Sequence, residues 1–147
     1  MELLAWKTPI VRYGILVVLA HLIVNGLHGI AHQHAEVVIS DLQFAYVLLV
    51  IFVAPIAAAV MLSFNRPKKI QQVGAWLLFA SMLGSLLFGL IYHVVLPGSD
   101  NIFTVMQGPS LNNAIFFTLT AILLAIIDGL GSWIGAIAIR RMAKIAP

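Results

Sequence analysis

The chain has 147 residues, 62% of them apolar and only 9% charged, against roughly 45–50% and about 25% in an ordinary soluble domain. So few charges cannot clothe a water-facing surface, which excludes a soluble globular domain; the formal charge of +3 reads as a membrane topology signal, and no nucleic-acid signature accompanies it. Cysteine is absent, so disulfides, thiolate metal ligands, cysteine nucleophiles and cysteine-held iron–sulfur clusters are excluded, leaving nitrogen and oxygen chemistry.

The charges are segregated. None falls in positions 13–30, 42–64 or 70–99, and positions 101–139 hold only Asp128. A hydrocarbon core about 30 Å thick needs roughly 20 apolar residues rising about 1.5 Å each, so each gap is a candidate span. The expectation is an all-α integral membrane protein with one domain over residues 1–147. It is an up-down-up-down four-transmembrane-helix bundle, with helices at about 13–34, 42–64, 73–96 and 113–139.

The first span follows Lys7 and Arg12. His21 and Asn25 interrupt its apolar run, the run is too long for a signal peptide, and no small-x-small site follows cleanly, so it is expected to stay in the mature protein. The second span contains Pro55, which is expected to kink it, and Asn65-Arg66-Pro67-Lys68-Lys69 breaks it off. The third carries Ser81, Ser85 and Gly89 at helix-contact spacing. Residues 97–112 then open with the turn-forming run Pro-Gly-Ser-Asp-Asn. The apolar Ile102, Phe103, Val105 and Met106 that follow are expected to fold back over the mouth of the bundle as a partial lid. The fourth span holds Asp128 and the close-packing pair Gly131-x-x-x-Gly135. All eight Lys and Arg fall before the first span, between the second and third, or after the fourth. By the positive-inside rule both termini are then cytoplasmic, in what reads as a prokaryotic cytoplasmic membrane.

The chemistry-bearing residues start on the first helix, where His21, Asn25, His28 and His32 follow at spacings of four, three and four and share one face. That face is too polar for hydrocarbon and must turn inward. Counting about 1.5 Å per residue from Arg12 puts His21 near mid-membrane and His28 and His32 in the outer half. His93, four residues before Pro97, reaches the same level from the diagonally placed third helix. His34, Glu36, Asp41 and Asp100 surround the same mouth.

Histidines at i and i+4 can share one metal ion, and a third from a facing helix plus a carboxylate completes a nitrogen/oxygen set. The candidate metal ligands are therefore His28, His32 and His93, with Asp100 or Glu36 completing or orienting the shell. The motif is His28-Gly-Ile-Ala-His32, without the glutamate of the zinc-protease pattern, which disfavours that chemistry. Copper, zinc or iron fits such a set. Haem is the competing cofactor, with His28 or His32 opposite His93 as axial ligands, and a chlorophyll-type pigment needs only one histidine. Asp128, near mid-membrane, is matched in depth with His21, so His21, Asn25 and Asp128 form a candidate core pair or proton relay.

The leading functional reading is a membrane-embedded metal- or haem-binding protein with its histidine cluster near the outer face, concerned with redox or electron transfer, and either a metal-dependent oxidoreductase or a subunit of one. Three alternatives stand beside it. One is a small proton-coupled transporter using His21 and Asp128. Another is an accessory subunit of a larger membrane complex, and a homo-oligomer is equally open. In the third the imidazoles only hydrogen-bond among Asn25, Tyr92, Ser85 and backbone carbonyls, holding helices together.

Overall fold

The computed structural model describes residues 9–64 and 68–143. Every regular element among them is helical. In chain order these are α1 (Pro9–His34), α2 (Asp41–Ser63), α3 (Lys68–Val95), a short α4 (Ile102–Val105) and α5 (Leu111–Ala143); all but α4 are long and apolar enough to cross a membrane. The helices start earlier than the hydropathy gaps alone indicate, because α1 runs from Pro9 and α3 from Lys68. Lys7, Lys144 and the turn at residues 65–67 lie outside the described residues.

Local chemistry sets the helix ends. α1 finishes in a Schellman-type turn: Val37 N–H reaches back to the His32 carbonyl at 2.9 Å, and Glu36 takes the left-handed position with φ 55°, a place usually filled by glycine. α2 begins with a capping box, in which Ser40 N–H donates to Gln43 Oε1 at 2.8 Å and Gln43 N–H to Ser40 Oγ at 3.3 Å. Within α2, Val47–Val53 is π-helical and ends just before Pro55. The expected kink is thus expressed as a widened turn that accommodates the proline, a common device where a helix carries function.

Packing between the helices is uneven. α5 lies closely against α3 and α1, and α2 against α3, while α1 and α2 touch only lightly. Glycine permits the tight contact of α3 with α5: a Cβ on Gly135 would stand 2.8 Å from both the Cα and the N of Phe79. Two apolar clusters result. One contains Val17, Ala58, Leu62, Leu78, Met82 and Leu124; the other, at the α4 end, gathers Ala31, Val105, Ala114 and Phe117.

The segment between α3 and α5 does fold back on the bundle, but only through part of its apolar set. Val105 is buried in the second cluster and Ile102 packs against it, whereas Phe103 and Met106 are exposed. Asn101 ties the segment down. Its Nδ2 donates to the Val94 and Leu96 carbonyls at 3.2 and 3.0 Å, and its Oδ1 accepts from Phe103 N–H at 2.9 Å. One buried side chain therefore closes the π-helical end of α3, Ile91–Val95, and caps α4, and in doing so it turns Asp100 inward.

Candidate metal centre

His28, His32 and His93 come together in the structure, offering ligand atoms that all lie within 4.8 Å of one another. The i, i+4 pair is edge-on, with ring centroids 4.7 Å apart, and His93 crosses to it from the π-helical end of α3, 4.9 Å from His28. Phe117 of α5, fully buried, contacts all three rings, at centroid distances of 4.9 Å to His28, 5.0 Å to His32 and 5.4 Å to His93.

The hydrogen-bond partners constrain the protons. Thr120 Oγ1 lies 2.9 Å from both the Phe116 and Phe117 carbonyls and 2.8 Å from His28 Nδ1; with its one proton on a carbonyl it accepts from His28 Nδ1–H, and with that proton turned to the ring it donates to Nδ1. His93 Nδ1 faces the main-chain oxygen of Asp100 at 2.9 Å, and a carbonyl only accepts, so that nitrogen carries its proton. Both rings turn Nε2 inward, and these two atoms are 3.1 Å apart. At that distance the pair either shares a neutral hydrogen bond, which Thr120 permits by turning its hydroxyl proton to His28 Nδ1, or offers two lone pairs to one cation. Metal–nitrogen bonds of about 2.0–2.1 Å span a 3.1 Å pair at a bent angle. Axial ligation of one haem would need the same atoms about 4 Å apart by the same bond length, on opposite faces of a macrocycle. The pair as placed has the spacing that two ligands of one bare ion would need, not that of haem axial ligands.

Asp100 is buried behind the triad. Its Oδ1 is 2.9 Å from His93 Nδ1 and 3.4 Å from His32 Nε2, yet neither carboxylate oxygen receives an aligned hydrogen bond, because the His93 N–H is directed at the main-chain oxygen of the same residue. A buried carboxylate left in this state is costly unless positive charge stands close by. Its position against the outer nitrogens is that of a residue orienting a ligating imidazole. Glu36, the other acid expected here, is exposed and outside the triad; the Schellman turn that ends α1 carries it away. His34 is exposed too, with its carbonyl accepting from Asn113 Nδ2 at 2.6 Å.

His21 and Asp128 are in direct contact, Nδ1 to Oδ1 at 2.6 Å, both buried. His21 Nε2–H donates to the Ile51 carbonyl at 2.8 Å and Ser85 Oγ–H to Asp128 Oδ2 at 2.6 Å. Asn25 lies over the His21 ring and donates to the His21 carbonyl at 3.0 Å. Thr120 and Phe117 escaped the sequence reading, since a threonine or phenylalanine in an apolar helix carries no signal of its own. The spacing of Phe117, Thr120, Leu124 and Asp128 on one helical face was the available clue.

No protein-family model, curated protein or solved structure matches this chain. Its reading therefore rests on the site.

Proposed function

We propose that this chain is an integral membrane protein that holds one first-row transition metal ion on His28, His32 and His93, with Asp100 orienting the shell, and that the centre serves a redox or electron-transfer role. The observation that carries the reading is the convergence of the three imidazoles, with ligand atoms all within 4.8 Å of one another, beside a buried carboxylate whose oxygens receive no aligned hydrogen bond. Three imidazoles near a carboxylate suit copper, zinc or iron, and of these copper and iron serve the redox role. The bent geometry favours a bare ion over haem. By the positive-inside rule, the up-down-up-down arrangement has cytoplasmic termini and the cluster lies on the external side.

The transporter alternative rests on His21 and Asp128. Each already has a further partner, the Ile51 carbonyl and the Ser85 hydroxyl, which supports a fixed structural layer over a moving carrier site.

Metal analysis of the purified protein tests the reading. The parent and His34→Ala should retain close to one equivalent of metal, and His93→Ala should lose it. A metal-free parent, or equal metal in both variants, overturns the reading.

A further inference from the structure

A cavity of about 730 Å³ adjoins the triad. Its wall includes His28, His32 and His93 and, further along the helices from the mouth, Asn25, Ser85 and Asp128. Much of the remainder is apolar, with the rings of Phe44, Phe52 and Phe88. Phe44, Leu90, Ile122 and Ile126 belong to the wall and are also exposed on the apolar surface, so in a bilayer the cavity opens to hydrocarbon. α1 also leaves bare backbone in the wall between these side chains: Gly26 and Gly29 line it, and a Cβ on either would meet nothing within 4 Å.

These features select the occupant. The volume falls within the roughly 300–1,000 Å³ of small-molecule sites, and entry from hydrocarbon requires a lipophile. Polar atoms of a ligand in so apolar a space must meet protein partners. Since Ser85 and Asp128 are hydrogen-bonded to each other, the partners on the wall are two polar groups, Asn25 and His32, seven positions apart along one face of α1, with aromatic rings among the walls. A fatty acid or lipid tail has polar atoms at one end only and satisfies one group. A quinone ring carries oxygens at opposite ends of a flat unsaturated body and has an apolar tail to leave through the rim.

We infer that the cavity is a binding site for a membrane quinone, its ring between His32 of the histidine cluster and Asn25. The inference deepens the metal-centre reading and rests on it for the redox partner placed beside the ring; the binding itself stands on the cavity.

The test is calorimetric titration of a decyl-substituted benzoquinone into the full chain in detergent, against protein-free micelles, with metal content measured on the same preparations. Saturable binding is expected in the parent. Gly26→Leu and Gly29→Leu, which fill the open wall, should weaken it at least tenfold with metal retained. Gly129→Leu is the control, because its Cβ also meets nothing within 4 Å and it is not on the cavity wall; it should bind like the parent. Absence of saturable binding, equal loss in Gly129→Leu, or equally effective displacement by decanol overturns the inference. A parent that binds metal but no quinone defeats the inference alone, and one that binds quinone but no metal defeats only the metal reading.

Discussion

Ile51 and Pro55 are one helical turn apart on α2, and the proline, lacking an N–H, leaves the Ile51 carbonyl without its α-helical donor. His21 Nε2–H takes that place at 2.8 Å. Because His21 also pairs with Asp128, which receives the Ser85 hydroxyl, one buried polar layer joins α1, α2, α3 and α5. In an apolar bundle such a layer fixes which faces meet, since any slip exposes an unpaired polar group to hydrocarbon.

Removing one member of that layer should be costly in proportion to the charge left behind. Asp128→Ala strands the His21 imidazole and the Ser85 hydroxyl, and a loss of roughly 3–5 kcal/mol is expected for a broken buried pair. Ser85→Ala deletes a single hydrogen bond and should cost about 1 kcal/mol. Reversible unfolding in mixed detergent micelles measures both. Equal losses in the two variants would show that the layer is not what holds the bundle.

Metal affinity should respond to residues that do not touch the metal. Thr120→Val removes the hydroxyl partner of His28 Nδ1, and Asp100→Asn removes the carboxylate beside His93, each with little change of shape. Outer-shell substitutions of this kind typically cost about 10–100-fold in affinity. Competition with a calibrated chelator reads the change, and parent-like affinity in both variants would remove Asp100 and Thr120 from the site.

Glycine replacements should separate contact by the kind of neighbour met. At Gly135 a Cβ meets the Phe79 backbone at 2.8 Å, whereas at Gly131 it meets the flexible side chain of Met82. Gly135→Ala is expected to destabilise by about 1–3 kcal/mol, as overpacking does, and Gly131→Ala by less, because methionine can repack. The same unfolding assay orders them, and the reverse order would mean that α3 and α5 approach differently.

Much of this architecture is legible in the sequence because hydrocarbon imposes a coarse rule: charge-free stretches of span length become helices, and the polar face of α1 turns inward. His93 could be matched to His28 and His32 by counting rise per residue alone. The sequence also set Asp128 at the level of His21. What escaped depends on backbone detail. The π-helical turns of α2 and α3 leave no hydropathy trace. The capture of Asp100 depends on Asn101 bonding two particular carbonyls, and Glu36 looks like a ligand until the left-handed turn at its own position carries it into the open.

Sidedness is the remaining prediction, and the absence of native cysteine makes it clean to measure with single introduced thiols. Arg12, Lys68, Lys69, Arg140 and Arg141 lie toward the ends of α1, α3 and α5 remote from the histidine triad, so the positive-inside rule directs the triad end outward. Ser99 is exposed beside Asp100 at that end. Ser99→Cys in intact cells should react with a membrane-impermeant maleimide, while Arg141→Cys, near the opposite end of α5, should react only after the membrane is opened. Arg141→Ser in the Ser99→Cys background removes the same charge as Arg141→Cys and should leave labelling of Ser99→Cys unchanged, which guards against an effect of the altered charge itself. Labelling of Arg141→Cys in intact cells together with protection of Ser99→Cys would invert the orientation. The histidine triad would then open to the cytoplasm, and any metal it takes would have to come from that side.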